Sequence, residues 1–202
     1  MNKRQTLQRL LTYALLAGTA GFLGACSDSK ASFTSVDITG ADYAKGFEVE
    51  DHTGKVRNLT DFSGKVVLMF FGYTQCPDVC PTTMTEMIEI KRALGKDGER
   101  LQVLFVTVDP ERDTPELLKA YMENFDPTFL ALRPTPEKLV SLTKDYKIYY
   151  KKVDGSTPTS YTMDHSAGSY IYDPQGRLRL FTRYGSPKEA LIKDIQTLLS
   201  GA

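Results

Sequence analysis

The feature that most constrains the fold is a continuously apolar run at residues 66–71 (VVLMFF), which begins with two β-branched residues. A strand that is apolar at every position must be covered on both faces, as in the centre of a sheet with helices on each side. A second, largely apolar run (LQVLFVTV) occupies residues 101–108 and predicts another central strand. Between them, apolar residues recur at helical spacing over residues 81–94. These segments predict a strand–helix–strand unit with parallel strands.

The remaining chain predicts hairpins and helices around this unit. Residues 47–50 and 56–59 alternate between apolar and polar around turn residues, which indicates an N-terminal β-hairpin that caps one edge or end of the domain. Later strands are expected at residues 129–132, 148–153, 167–172 and 178–181, with a polar loop at residues 154–166. Helices are expected where a Thr or Ser N-cap precedes a proline, at residues 114–115, 135–136 and 186–187.

Parallel strands joined by helices and followed by an antiparallel pair form a mixed sheet. We therefore predict an α/β fold of the thioredoxin-like (peroxiredoxin-like) type, a mixed sheet flanked by helices with an N-terminal β-hairpin. In that arrangement a reactive motif lies where a central strand ends and a helix begins.

The first 25 residues have the pattern of a signal peptide. A basic start is followed by an apolar run at residues 10–22, which is shorter than the roughly 20 residues that a membrane span requires. The run ends in Leu-Gly-Ala-Cys at residues 23–26, which resembles the lipobox of bacterial lipoproteins. Cys26 is then the expected lipidation site, and the protein is expected to be a membrane-anchored lipoprotein on the periplasmic face.

The sequence predicts three segments. Residues 1–25 form the lipoprotein signal peptide, residues 26–43 the lipidated cysteine with a polar tether, and residues 44–202 one folded domain. The chain has no net formal charge, so it lacks the excess of Lys and Arg that neutralises phosphates in a general nucleic-acid binder. We expect no nucleic-acid partner.

Two cysteines remain for chemistry, Cys76 and Cys80, in the segment that joins the first apolar strand to its helix. Three residues separate them, and a proline follows each. A helix N-terminus favours thiolate over thiol and lowers a cysteine pKa. Closing so short a loop with a structural disulfide gains little stability. The pair is therefore suited either to binding a soft metal or to exchanging a disulfide.

A possible third ligand lies far along the chain. Thioredoxin-fold oxidoreductases usually have two residues between their cysteines and a proline before a later strand, whereas here His165 stands in that proline's place. Two thiolates and one imidazole form a soft set that suits Cu(I), with Cu(II) also accessible, and a structural zinc site would require a fourth ligand. His52 lies in a Thr-Gly turn and is expected to be solvated.

Three carboxylates near these residues have possible supporting roles. Asp164 could orient the His165 ring, although it could equally be a solvated loop carboxylate. Asp109 follows the second apolar strand and should lie at the same end of the sheet as the cysteines, where it either supports the site or caps a helix. For Asp113 a capping turn is the favoured interpretation.

The three blocks, Phe-Gly-Tyr-Thr-Gln-Cys-Pro-Asp-Val-Cys-Pro at 71–81, Val-Asp-Pro-Glu-Arg-Asp-Thr-Pro at 108–115 and Asp-His-Ser at 164–166, resemble the signature blocks of the Sco/SenC family. The resemblance implies a thioredoxin-like domain that binds one copper ion through Cys76, Cys80 and His165, with Asp109 and Asp164 supporting the site. It also implies a metallochaperone that delivers copper to the dinuclear copper site of cytochrome c oxidase, or to another extracytoplasmic cuproenzyme, during assembly.

Two enzymatic alternatives follow from the same motif. A thiol-disulfide oxidoreductase would use Cys76 and Cys80 as a redox-active pair to reduce partner cysteines before metal loading. The partners of such an oxidoreductase would include periplasmic thiol reductants. The partners of a metallochaperone would include other periplasmic copper chaperones. A peroxidase is disfavoured, because the Pro-x-x-x-Thr-x-x-Cys pattern would need a threonine at Tyr73 and a proline at Met69.

Overall fold

The computed structural model describes residues 31–157 and 160–201, which belong to one compact unit. Ten strands occur in this part of the chain. They are β1 (Val36–Asp37), β2 (Val49–Glu50), β3 (Val56–Arg57), β4 (Val66–Gly72), β5 (Leu101–Thr107), β6 (Leu130–Leu132), β7 (Tyr150–Asp154), β8 (Tyr161–His165), β9 (Gly168–Tyr172) and β10 (Leu178–Arg183).

Six of these strands form one mixed sheet in the order β1-β10-β9-β4-β5-β6. Strands β4, β5 and β6 are parallel, while β9 runs antiparallel to β4, and β10 and β1 continue the antiparallel half. The predicted mixed sheet with helices is confirmed. The parallel half places the carboxyl ends of β4 and β5 side by side, because Gly72 pairs with Thr107 in the register.

Four α-helices and two 3-10 helices occur in the described residues. The α-helices are α1 (Val79–Ala93), α2 (Pro115–Glu123), α3 (Pro136–Asp145) and α4 (Lys188–Leu199), and the 3-10 helices are Leu59–Phe62 and Gly95–Arg100. The predicted N-caps of α2 and α3 are confirmed, since the hydroxyls of Thr114 and Thr135 accept hydrogen bonds from backbone N–H groups at the start of these helices. The predicted cap at Ser186 is wrong, because the N-cap of α4 is Pro187, which makes no side-chain cap hydrogen bond.

Both faces of β4 are buried, as its apolar run predicts. Val67, Met69 and Phe71 belong to the core cluster that includes α3 residues and the N-terminal hairpin. The alternate residues of the strand face a second cluster with residues of α1, α2 and α4. All seven residues of β4 and all seven of β5 are buried. Both strands that lead to the site are therefore completely enclosed by the core.

The N-terminal hairpin, β2 with β3, covers the edge strand β6, as predicted. The backbone N–H of Arg133 donates to the carbonyl of Glu50, and Asp51 forms a bridge with Leu132. His52 is not the solvated turn residue that the sequence suggested. Its Nδ1 accepts a hydrogen bond from the N–H of Ala131 (3.1 Å), and burial lowers its pKa.

Part of the segment predicted to be a polar tether packs on the domain. Within residues 26–43, β1 extends the sheet beside β10. The carboxylate of Asp194 on α4 accepts hydrogen bonds from the N–H groups of Thr34 (2.9 Å) and Ser35 (2.8 Å). The polar composition of this segment does not reveal the packing, because the groups that stabilise it are backbone amides and one carboxylate far along the chain. Residues 31–43 therefore belong structurally to the domain.

The polar segment before His165 is also more ordered than predicted. Instead of a loop over residues 154–166, the structure contains β8, which pairs antiparallel with β7 in a two-stranded sheet of its own. Met163 on this strand is buried, whereas Thr162 and Asp164 are exposed. The alternation was visible in the sequence, but the high polarity of the segment concealed it.

Candidate metal centre

The candidate site lies where β4 and β5 end. The loop after β4 carries Cys76 and leads into α1, while the loop after β5 carries Asp109 and Asp113. Parallel neighbours direct their carboxyl ends to the same edge of a sheet, where loops from successive strands meet. The β7–β8 hairpin, which ends in His165, completes the group of candidate site residues at this edge.

Cys80 is the second residue of α1 and is almost completely buried, with 1% of its surface exposed. The helix begins at Val79, two residues before the predicted start, because Pro81 is accommodated in the first turn, where the N–H it lacks has no helical partner. Burial raises the pKa of the Cys80 thiol. The expected lowering by the helix N-terminus is therefore outweighed by desolvation, and a metal that binds here must displace the proton.

Cys76 lies in the loop before α1 and is partly buried against both core clusters. Its backbone N–H donates to the carbonyl of Tyr73 (3.2 Å), which closes a tight turn. Both Cys76 and Cys80 are free thiols. The turn directs the Cys76 side chain toward the start of the helix that carries Cys80.

His165 ends β8, and its ring lies across the site from the helix. Nε2 is 3.8 Å from the sulfur of Cys80, and Nδ1 is 3.0 Å from the carbonyl oxygen of Ser166. A carbonyl only accepts, so Nδ1 carries the proton and the lone pair of Nε2 faces the sulfur. The ring of Tyr73 packs edge-on against the imidazole, with 5.9 Å between centroids. The histidine is thus held in the tautomer that a metal ligand needs.

Among the described residues, Cys76, Cys80 and His165 form the one group of three or more such side chains suited to holding a metal ion. Their ligand atoms lie within 4.8 Å of one another. At a trigonal metal with bonds of about 2.0 to 2.3 Å, two ligand atoms are about 3.5 to 4.0 Å apart. The observed spacing therefore needs only a small contraction, and the donors are those that Cu(I) prefers.

Asp109 lies at the predicted end of the sheet but does not face the sulfurs directly. Its carboxylate accepts hydrogen bonds from Nε of Arg112 and from the hydroxyl of Tyr161 (2.9 Å). Arg112 in turn donates from Nη1 to Oε1 of Gln75 (3.1 Å), the residue before Cys76. Asp109 therefore acts on the cysteine loop through an intervening guanidinium.

Asp113, for which the sequence favoured a capping turn, connects the ends of β4 and β5 instead. It is fully buried, and its carboxylate accepts hydrogen bonds from the hydroxyls of Thr107 (2.5 Å) and Thr74 (2.6 Å) and from the N–H of Thr74 (3.2 Å). Burial raises its pKa, and these hydrogen bonds oppose the rise. The available signal was its position after β5, since a carboxylate there can reach the neighbouring strand's loop.

Asp164 does not occupy the role that the sequence suggested. Adjacent residues of a strand point to opposite faces, so Asp164 is exposed while His165 faces the site. The hydrogen-bond partner of Nδ1 is the carbonyl of Ser166. Cys26, the predicted lipidation site, lies outside the described residues. No helix in the described part of the chain is both long and apolar enough to span a membrane.

Comparison with known proteins finds relatives in both sequence and fold. The sequence profile of the SCO1/SenC family matches residues 36–200. An SCO2-like protein of Rickettsia felis is 37% identical over 147 residues, which cover 72% of this chain and 72% of the relative.

Solved structures extend the likeness to three dimensions. Copper-bound ScoI of Bradyrhizobium japonicum has 38% identity and a TM-score of 0.69, covering 76% of this chain and 97% of that one. A SCO1/SenC family lipoprotein from Bacillus anthracis has 25% identity and a TM-score of 0.65, covering 76% and 92%. The thioredoxin-like fold predicted from the sequence is confirmed by these neighbours. On the match over residues 36–200 and the shared fold, this chain belongs to the SCO1/SenC family.

Proposed function

We propose that this protein is a copper metallochaperone that binds one copper ion through Cys76, Cys80 and His165. It delivers the ion to the dinuclear copper site of cytochrome c oxidase, or to another extracytoplasmic cuproenzyme, during assembly. The observation that carries the proposal is the convergence of two sulfurs and one imidazole nitrogen within 4.8 Å. The copper-bound state of the Bradyrhizobium japonicum relative supports copper as the cargo.

The arrangement suits a metal that must be released again. Three protein ligands leave a coordination position for a group of the recipient, as open metal sites do. Cys80 is buried, but Cys76 and His165 are only partly buried, so one side of the cluster faces solvent. A recipient ligand can approach from that side while Cys80 keeps the ion in place.

Copper titration of the reduced protein tests the proposal. The wild type should bind one Cu(I) per chain, and Cys76→Ala, Cys80→Ala and His165→Ala should each weaken binding strongly. His52→Ala is the matched control, because His52 is the chain's other histidine and contacts Ala131 rather than the cysteines. Copper affinity that survives in His165→Ala and equals that of His52→Ala would contradict the three-ligand site.

A thiol-disulfide oxidoreductase is the second candidate, favoured by the observation that both cysteines are free and adjacent. In this reaction a partner disulfide accepts two electrons and two protons, while Cys76 and Cys80 lose their protons and form a disulfide. The cycle then requires a thiol reductant to restore the pair. Reduction of a partner disulfide should need both cysteines but survive in His165→Ala. If His165→Ala lost this reductase activity as well as copper binding, the result would argue against a separate enzymatic role.

We also propose that the protein is a lipoprotein whose signal peptide, residues 1–25, is removed before Cys26. The lipobox at residues 23–26 and the Bacillus anthracis lipoprotein support this proposal. More than one acyl chain is needed for stable anchoring, since each buried methylene contributes about 0.8 kcal/mol. Cys26→Ser should move the protein from the membrane fraction to the soluble extracytoplasmic fraction, and unchanged fractionation would contradict the anchor.

A further inference from the structure

Arg112 contacts both parts of the chain that carry the ligands. From Nη1 it donates to Oε1 of Gln75 (3.1 Å), which precedes Cys76, and to the backbone carbonyl of Tyr161 (2.9 Å), which begins the strand that ends in His165. One nitrogen therefore bridges the cysteine loop and the histidine strand.

Further contacts fix the guanidinium between these two segments. Its Nε donates to the carboxylate of Asp109, and its central carbon lies 3.4 Å from the centroid of the Tyr161 ring. The Tyr161 hydroxyl donates to the other oxygen of Asp109 (2.9 Å). Arg112 is held by an ion pair, two hydrogen bonds and a stacked ring, so it has little freedom to move alone.

The histidine strand is joined to the domain through buried Met163 and through its contact with Arg112. Strands β7 and β8 form a two-stranded sheet that is not part of the six-stranded sheet on which the cysteine loop is built. Tyr161, Met163 and His165 share the same side of β8, because alternate residues of a strand point the same way. A contact that holds Tyr161 therefore helps, together with the buried Met163, to set the orientation of the strand and of the ligand at its end.

We infer that Arg112 is a positioning residue of the copper site, which sets the place of the His165 strand relative to the cysteine loop. The inference rests on the proposed copper-binding function. Lysine cannot replace Arg112 here, because its single nitrogen cannot contact Asp109, Gln75 and the Tyr161 carbonyl in one plane or stack on the ring. Groups that hydrogen-bond a metal ligand directly typically change metal affinity by about 10- to 100-fold when removed. Arg112 contacts residues beside the ligands rather than the ligands themselves, so its loss should have an effect at the lower end of this range.

The test compares Arg112→Met and Arg112→Lys with Arg57→Met. Arg57 is a matched control, because its Nε pairs with Asp51 and its side chain is 19% exposed, against 18% for Arg112. Copper affinity should fall about tenfold in both Arg112 variants and stay at the wild-type value in Arg57→Met. The Cu(II) forms of the Arg112 variants should also lose the uniform nitrogen hyperfine coupling of a fixed imidazole in electron paramagnetic resonance spectra.

A second measurement uses the metal-free protein. Amide hydrogen exchange in β8 should speed up in the Arg112 variants relative to Arg57→Met, since the strand loses its connection at Tyr161. If the wild type bound no copper, the proposed function would fail while this exchange measurement still tested the connection.

A third variant, Gln75→Ala, tests the inference even if the Arg112 variants fold poorly. Gln75 is exposed, and its replacement removes the hydrogen bond of Arg112 to the cysteine loop while Arg112 itself is retained. The variant should weaken copper binding in the same direction as Arg112→Met, and the two changes should be less than additive when combined. Wild-type copper affinity and wild-type Cu(II) spectra in folded Arg112→Met would overturn the inference.

Discussion

Gly72 ends β4 beside Cys80, one of the proposed copper ligands, and replacing it with alanine gives a sharp test of the packing there. A Cβ atom at this position would lie 2.6 Å from the sulfur of Cys80 and 2.8 Å from Cε2 of Phe105. Optimal contacts between heavy atoms are about 3.5 to 4.0 Å. The added carbon therefore overlaps its neighbours by about 1 Å, on two sides at once.

Neither neighbour has room to retreat. Phe105 is fully buried and packs edge-on against Phe70, with 5.3 Å between ring centroids. Cys80 is fixed by the first turn of α1 and is 1% exposed. Overpacking of this kind costs about 1 to 3 kcal/mol. For a domain of this size the melting temperature should then fall by about 2 to 12 °C.

We expect a larger effect on copper affinity than on the free energy of unfolding. A sulfur displaced by about 1 Å cannot keep a metal bond whose length is defined to about 0.2 Å. We expect Gly72→Ala to remain folded at room temperature but to bind Cu(I) at least tenfold more weakly in a competition titration. Gly46→Ala is the matched control, because Gly46 is exposed and its added Cβ would lie 4.0 Å from Leu59. Wild-type stability and copper affinity in Gly72→Ala would refute this account of the site.

Three further predictions concern the surroundings of the site. Asp113→Ala should destabilise the protein by about 2 to 4 kcal/mol in denaturant unfolding, because the buried hydroxyls of Thr74 and Thr107 lose their acceptor, and it should also weaken copper binding. Tyr172→Phe should cost about 1 to 3 kcal/mol with copper affinity unchanged, because a buried hydroxyl is lost away from the ligands. The pKa of His52 in the folded protein lies below its ordinary value of 6.5. As the pH falls through 6.5, the unfolded chain therefore takes up a proton at this residue before the folded protein does. The contribution of His52 to stability is thus complete above pH 6.5 and is lost as the pH falls. His52→Asn keeps an acceptor without titrating, so its unfolding free energy should vary less between pH 7.5 and 5.5 than that of the wild type, and equal pH dependence would contradict the assignment.

Local chemistry was enough to predict several elements. The apolar runs of β4 and β5 identified buried parallel strands, because only a central strand is covered on both faces. The N-caps at Thr114 and Thr135 were also predictable, because a cap depends on residues within one turn. The N-cap predicted at Ser186 in the same way was wrong. The N–H of Ser186 donates to the carbonyl of Arg183, so Ser186 belongs to a turn and the N-cap is Pro187.

Within the candidate site, the residues with distinctive chemistry were predicted and those with ordinary chemistry were not. Cys76, Cys80 and His165 stood out because thiols and imidazoles are rare in this sequence. Asp113 and Arg112 were not assigned a role at the site, because a carboxylate or a guanidinium gains its role only from the donors and acceptors around it.

The sequence by itself determined the central strand–helix–strand unit and the donor atoms that the protein can offer to a metal. Hydrophobic periodicity and ligand chemistry are properties of short segments, so they can be read without the fold. Only the tertiary structure decided that burial raises the pKa of Cys80, that Ser166 rather than Asp164 orients His165, and that Arg112 joins the two ligand-bearing segments. Each of these depends on solvent exclusion or on contacts between residues far apart in the chain.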